Sequence, residues 1–214
     1  IAVLALDYRL APEYQFPAGV DDAWFALKWL ASAVAGLQLD AAQITVGGDS
    51  AGGTLAAVLC LKARDAGGPA IAQQLLIYPA TDLVNEFESE RQYGAGHFLE
   101  RETLLWFGHN YFARALEKHD WRASPALAAS HAGLPPALVI TAECDPLADQ
   151  GDQAHHLGDS AAQHPGLGRG RRLFVEPQDV ETPPKAQERL GRQGRAVVAV
   201  AEGHAQPPEA RDHL

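Results

Sequence analysis

The sequence GGDSAGG, at residues 47–53, is the most informative stretch of this 214-residue chain. It stands between an apolar run at residues 44–46 and a helix-forming stretch at residues 54–66. A β-strand, a sharp turn and a helix in this order lift the residue at the tip of the turn clear of the sheet. That residue is Ser50, which the pattern predicts to be a nucleophile.

The residues around Ser50 fit this role. A serine at the tip of so tight a turn is forced into strained backbone geometry, and Gly48 and Gly52 remove side chains that would collide there. The following helix would point its first N–H groups, beginning with that of Ala51, at an oxygen that becomes negative during acyl transfer. The alternative is an incidental serine in a glycine-rich turn, which Asp49 and the doubled glycines disfavour. The segment therefore predicts a nucleophile and half of an oxyanion hole.

Composition indicates one globular domain that acts on small molecules. A hydrophobic content of 47% over 214 residues is ample for a buried core. The net charge of −10 argues against nucleic acid and anionic lipid surfaces as partners, so a small uncharged substrate fits better. No apolar run approaches the roughly 20 residues that span a bilayer. Cys60 and Cys144 follow no metal-binding or disulfide spacing.

The chain opens with Ile1 inside an apolar run, and it contains no methionine. We therefore expect a fragment without its true N-terminus. This leaves the localisation open, with the cytoplasm favoured, and the oligomeric state is open as well.

Short aliphatic runs alternate with helical patterns along the first 152 residues. The runs at residues 1–6, 43–46, 74–78 and 137–142 predict strands, the first of them buried. Asp21 and Asp22 give an N-cap signal before an amphipathic helix. The alternation predicts an α/β fold in which a mostly parallel sheet carries helices on both faces.

Two segments depart from this alternation. Residues 83–134 are rich in aromatic and aliphatic side chains, which predicts a partial helical cap at about residues 83–122, although core packing explains them equally well. Polar residues dominate beyond about residue 151, so we expect residues 153–214 to form an atypical C-terminal segment, either frameshifted or poorly ordered. Within it, residues 196–201 predict a strand.

Four motifs occur in one order along residues 1–152. They are YRLAPE at residues 8–13, GDSAGG at 48–53, YPATD at 78–82 and ECDPLAD at 143–149. Together they resemble the hormone-sensitive-lipase-like family of α/β-hydrolase carboxylesterases. The resemblance implies an esterase acting on short or medium acyl esters, with Ser50 as nucleophile and Asp145 as the acid of a triad. It implies no metal or organic cofactor.

The position of Asp145 agrees with that implication. It follows the predicted strand at residues 137–142, so it would lie at the carboxyl edge of the sheet, where α/β folds gather their chemistry. There it could hold an imidazole in the correct tautomer. The alternative is a loop or N-cap aspartate, which Pro146 favours. We expect structural roles for the neighbouring Asp149 and, through ion pairs and turn geometry, for Arg9, Glu13 and Asp82.

The general base is harder to find. The family carries a His-Gly-Gly loop upstream of the first strand and a His-Gly-Phe segment about thirty residues after the acid, but residues 170–180 contain no histidine. His204 follows the predicted strand at 196–201 and is the candidate base. Seven further histidines are set aside because they lie too near the acid, in polar sequence, or before the acid; they are His155, His156, His164, His97, His109, His119 and His131.

A shift in reading frame near Asp152 offers another explanation for the missing histidine, because it would replace the expected segment with unrelated sequence. The chain would then be a truncated esterase without a working base. A second functional hypothesis follows: an α/β-hydrolase-fold protein that binds a ligand without catalysis. Reaction with a fluorophosphonate separates the two, since only an activated serine reacts readily.

Overall fold

Five parallel strands form one sheet in the computed structural model, which describes residues 1–157 and 194–200. The strands are β1 (Ala2–Leu6), β2 (Leu39–Asp49), β3 (Gln73–Ile77), β4 (Ala137–Ile140) and β5 (Gly194–Val200). The helices are α1 (Ala18–Ala33), α2 (Ala51–Ala66), α3 (Glu88–Tyr93), α4 (Arg101–Tyr111) and α5 (Ala148–Gln153). Three short 3₁₀ segments cover Ala115–His119, Pro125–Leu127 and Ala154–Leu157. The expected parallel sheet with helices is confirmed.

The order of strands across the sheet is β1-β5-β2-β3-β4. The strand β5 therefore lies between β1 and β2, which are neighbours along the chain. Its residue Val198 pairs with Leu4 on one side and with Val46 on the other. The sequence predicted a strand at residues 196–201, and the structure places that strand between β1 and β2.

The core lies between the sheet and α2, which packs on β2 and β3 and is itself covered by α1. The side chains of Val46, Leu76 and Val139 point to this layer and are buried. Leu75 and Leu138, at alternate positions of the strands, lie on the opposite face and are only half-buried. Eleven of the sixteen residues of α2 are buried because helix and sheet cover it from two sides.

Two sequence expectations are wrong. The strand β1 is not buried: Val3 is 63% exposed, because β5 is the one described element that packs extensively against β1. The helix α1 begins at Ala18, after Pro17, and not at the Asp21–Asp22 signal. The carboxylate of Asp22 accepts hydrogen bonds from the backbone N–H and the guanidinium of Arg9 instead, which confirms the ion-pairing role expected of Arg9.

Candidate active site

Ser50 occupies the sharp turn that its sequence predicts. It stands between the end of β2 at Asp49 and the start of α2 at Ala51, with φ 49° and ψ −119°. This is a costly conformation for a residue with a side chain, about 1–3 kcal/mol, and it persists only where the surroundings hold it. Here the Ser50 N–H donates to the Ile77 carbonyl at 2.9 Å, and the Thr54 N–H donates to the Ser50 carbonyl at 3.1 Å. The strain predicted from the glycine spacing is present.

Close packing around the turn explains why it is rich in glycine. A Cβ atom on Gly53 would lie 3.0 Å from the Pro79 Cβ and 3.2 Å from the Gly48 carbonyl oxygen. A Cβ on Gly47 would lie 3.0 Å from the Leu75 Cβ. The first turn of α2 thus approaches the chain that follows β3 more closely than any larger residue allows. The sequence argument gave this role to Gly48 and Gly52, which stays a prediction, and the structure assigns it to Gly47 and Gly53.

Ala51, the candidate oxyanion donor, is the first residue of α2 and is exposed. A helix of 16 residues directs the positive end of its dipole to this point. An oxygen that gains negative charge next to Ser50 would be stabilised here.

Asp145 lies on the loop that follows β4, on the same edge of the sheet. Across the sheet, Asp49 is level with Ile77, and Ile77 with Ile140, so β2, β3 and β4 end together. Neighbouring strands are about 4.8 Å apart, which places the ends of β2 and β4 about 10 Å from each other. A triad acid and a nucleophile require this arrangement, with an imidazole between them.

The surroundings of Asp145 act on its charge. The side chain is half-buried, and this desolvation raises the pKa of its carboxyl group above the ordinary value. A hydrogen bond from the Leu147 N–H to Oδ1, at 2.8 Å, works in the opposite direction and is the weaker effect. Because the Asp145 carboxylate is incompletely solvated, a positive imidazole beside it would interact with it more strongly than in water.

The loop at residues 78–82 contacts both the nucleophile side and the Asp145 side of this sheet edge. The Tyr78 N–H donates to the Ile140 carbonyl at 2.6 Å, and Tyr78 also has a positive φ of 34°. The Thr54 hydroxyl, from the first turn of α2, donates to the Ala80 carbonyl. Asp82 accepts from the Val84 and Asn85 N–H groups, which confirms the turn-forming role expected of it.

Three of the histidines that precede Asp145 make local contacts. His97 Nδ1 lies 3.0 Å from the Ala95 carbonyl, His109 Nδ1 lies 3.0 Å from the Leu105 carbonyl, and His131 Nε2 lies 2.9 Å from the Pro125 carbonyl. The candidate base His204 lies outside the described residues. The strand before it ends at Val200, which pairs with Leu6 and with Gly48, two residues before the nucleophile.

A cavity of about 240 Å³ opens beside the Asp145 loop. Its wall includes Tyr93, Thr141, Glu143, Asp149 and Asp152, and Ser50 is not part of it. Such an acidic lining does not match an acyl chain. In the part of the chain that the structure describes, no three His, Cys, Asp or Glu side chains come together in a way that could hold a metal ion. No helix of that part is long and apolar enough to cross a bilayer.

Comparison with known proteins decides the family. A family model described as an alpha/beta hydrolase fold matches residues 1–165. The chain belongs to the α/β-hydrolase fold family. Among relatives in this family, an ethyl acetate hydrolase of Pseudomonas putida is 41% identical over 161 residues, which are 73% of this chain and 50% of the relative. The carboxylesterase NlhH of Mycobacterium tuberculosis is 42% identical over 153 residues, 70% of this chain and 48% of the relative.

Solved structures of α/β hydrolases agree. An esterase of Pyrobaculum calidifontis has a TM-score of 0.68 and 46% identity, with coverage of 71% of this chain and 50% of the esterase. The thermostable carboxylesterase EstE1 from a metagenomic library has a TM-score of 0.68 and 38% identity, with coverage of 92% and 56%. These findings confirm the resemblance to carboxylesterases drawn from the four motifs. The chain spans about half the length of the relatives it matches.

Proposed function

We propose that this chain carries the nucleophile and the acid of a serine carboxylester hydrolase that acts on short to medium acyl esters. The observation that carries the proposal is the strained Ser50 at the start of α2, at the same sheet edge as the Asp145 loop. The names of the relatives, an ethyl acetate hydrolase among them, support the substrate class.

The mechanism follows from these positions. The Ser50 hydroxyl oxygen attacks the ester carbonyl carbon while an imidazole takes its proton, and the carbonyl oxygen becomes an oxyanion next to the Ala51 N–H. The imidazole then gives the proton to the departing alcohol. Water, activated by the same imidazole, releases the acid from the acyl-serine. Asp145 orients the imidazole and stabilises its positive form.

His204 is the candidate for this imidazole. The support is the register of β5, whose last residue Val200 lies beside Gly48 in the elbow strand. Three residues of chain separate Val200 from His204. A ligand-binding protein without a base is the alternative function.

Covalent labelling tests the proposal. We expect a fluorophosphonate to modify Ser50, and the Ser50→Ala variant to lose both labelling and hydrolysis of p-nitrophenyl butyrate. The His204→Ala variant should lower the labelling rate by roughly a thousandfold or more, as loss of a triad member does. Matched controls are Ser32→Ala, on the exposed side of α1, and His109→Ala, on α4.

Each outcome has one reading. Labelling that Ser50→Ala leaves unchanged would reject the serine mechanism and favour the binding protein. Labelling that depends on Ser50 but not on His204 would keep the enzyme and remove His204 as its base.

A further inference from the structure

We propose that Gln150 is a positioning residue, which holds the Asp145 loop to the residue 78–82 loop and so sets the distance between Asp145 and Ser50. Its catalytic meaning rests on the proposed esterase function. Glutamine has no catalytic chemistry of its own, and the four motifs assign this residue no role.

The Gln150 side chain is buried, with 2% of its surface exposed, and both the oxygen and the nitrogen of its amide have hydrogen-bond partners. Its Oε1 accepts from the Thr81 N–H at 3.0 Å and from the Asp82 N–H at 3.1 Å. Its Nε2 donates to Glu90 Oε1 at 3.2 Å, and its backbone carbonyl accepts from the Thr81 hydroxyl at 2.9 Å. Thr81 and Asp82 are buried too, so without Gln150 two buried N–H groups would lack a partner.

The other side of the same loop is held by the nucleophile turn. Thr54 donates to the Ala80 carbonyl, and the Ser50 N–H donates to the Ile77 carbonyl. The residue 78–82 loop is therefore a bracket between two anchors: Thr54 on the nucleophile side and Gln150 on the acid side. Movement of either anchor would change the gap that the imidazole must fill.

Gln150 is coupled tightly to Asp145 because one turn of chain separates them. The Ala148 N–H donates to the Asp145 carbonyl at 3.0 Å, and the Leu147 N–H donates to its Oδ1. The helix α3 braces this turn from outside: the Ser89 hydroxyl donates to the Pro146 carbonyl at 2.8 Å. The Ser89 N–H also donates to Asp149 Oδ2 at 2.9 Å, which agrees with the structural role expected of Asp149.

The neighbour Glu90 explains why an amide occupies this position. The group must accept two N–H donors and also face a carboxyl group that is itself half-buried. A carboxylate in place of the amide would face Glu90 with a like charge, and an aliphatic side chain would accept nothing. A glutamine side chain meets both requirements without a charge.

The first experiment measures the rate at which a fluorophosphonate labels Ser50, as a function of pH, in the Gln150→Leu variant. We expect the rate to fall by roughly a hundredfold, the effect of a small misplacement of catalytic groups. We also expect the midpoint of the pH profile to move to lower pH, because an imidazole that loses its carboxylate partner also loses the raised pKa that the partner gives it. The control is Gln153→Leu, an exposed glutamine on the same helix. An unchanged midpoint in Gln150→Leu would show a purely structural role.

A charge swap guards against simple loss of folding. Gln150→Glu alone places two carboxylates face to face and should label slowly. The double variant Glu90→Gln/Gln150→Glu restores one carboxylate and one amide in exchanged places, so the two acceptor bonds and the bond between the side chains can all form again. Recovery of rate and midpoint in the double variant is expected. Failure to recover, in a variant whose urea unfolding matches that of the unsubstituted chain, would overturn the proposal.

Hydrogen exchange tests the structural role of Gln150 even if Ser50 is never labelled. In that case the esterase function fails for this chain, but the bracket still makes a prediction. Gln150→Leu should speed amide exchange at residues 78–82 and, through Thr54, at residues 51–54, with the exchange of β3 unchanged. Faster exchange confined to α5 would contradict the bracket.

Discussion

At the scale of single residues, Asp145 is a carboxylate whose burial opposes its charge. Its pKa is raised in the folded protein, so the folded state holds the proton more tightly than the unfolded chain does. The free energy of unfolding therefore falls as the pH rises through the window between the ordinary aspartate pKa of about 3.9 and the raised one. We expect Asp145→Asn to raise the free energy of unfolding at pH 7, and the gain to vanish below that window. Urea titrations at several pH values measure this.

Asp120 is a natural control, because its environment has the opposite effect. The ion pair with Arg122, at 2.7 Å, lowers the pKa of Asp120, so its charge stabilises the fold above the ordinary aspartate value. Asp120→Asn should lower the free energy of unfolding at pH 7. If both variants shifted stability in the same direction, burial would not be the dominant effect on Asp145.

Sequence reasoning found Ser50 and missed Gln150 for one physical reason. The strain at Ser50 is imposed by residues within three positions of it, so glycine spacing along the chain reveals it. The partners of Gln150, Thr81 and Asp82, stand 69 and 68 residues away along the chain. A hydrogen bond that depends on folding leaves no local pattern, and a glutamine carries no chemical signature.

At the scale of elements, the junction of α2 with the loop after β3 depends on Gly53. Gly53→Ala would bring a Cβ to within 3.0 Å of the Pro79 Cβ and 3.2 Å of the Gly48 carbonyl, and much of that contact is with backbone. We expect a loss of about 1–3 kcal/mol in the free energy of unfolding, as overpacking of this kind causes. Denaturant unfolding measures the change.

Gly108, in α4, is the matched control for that substitution. Its added Cβ would meet nothing within 4 Å, and alanine is the better helix former by about 1 kcal/mol. Gly108→Ala should therefore stabilise the protein. A destabilisation as large as that of Gly53→Ala would mean that helix propensity and not the close approach governs both positions.

Sequence patterns predicted the existence of these elements better than their ends. The aliphatic runs of β2, β3 and β4 were found because parallel strands in a core need them. The start of α1 was misplaced because Asp22 resembles a cap but pairs with Arg9, thirteen residues earlier. A carboxylate close to the start of a helix can cap the helix or form an ion pair, and tertiary contacts determine which of the two it does.

At the scale of the whole molecule, β5 holds the sheet together. Among the described strands it is the one partner of β1, and it also pairs with β2. We expect Val198→Pro to remove a ladder hydrogen bond in the middle of the sheet and so to lower the free energy of unfolding. The amides of Ala2–Leu6 should then exchange rapidly, while those of β3 and β4 stay protected. Slow exchange in β1 of this variant would contradict the pairing.

The sequence indicated a strand at residues 196–201 but not its neighbours. The residues that determine which strands pair in parallel are far apart along the chain: Ala2 is level with Ala196. Alternating aliphatic residues are common to all strands of such a sheet, so the pattern of β5 does not distinguish a place beside β1 from a place at the opposite edge.

The position of β5 between β1 and β2 also affects when the sheet can form during synthesis. Among the described strands β1 pairs with β5 alone, and Leu6 stands 194 residues before its partner Val200 along the chain. Chains emerge at roughly 5–20 residues per second, so about ten seconds or more separate the synthesis of β1 from that of β5. Contacts this distant along the chain also form slowly. The strand β1 is therefore made well before β5, and their pairing forms only after residues 194–200 have been synthesised.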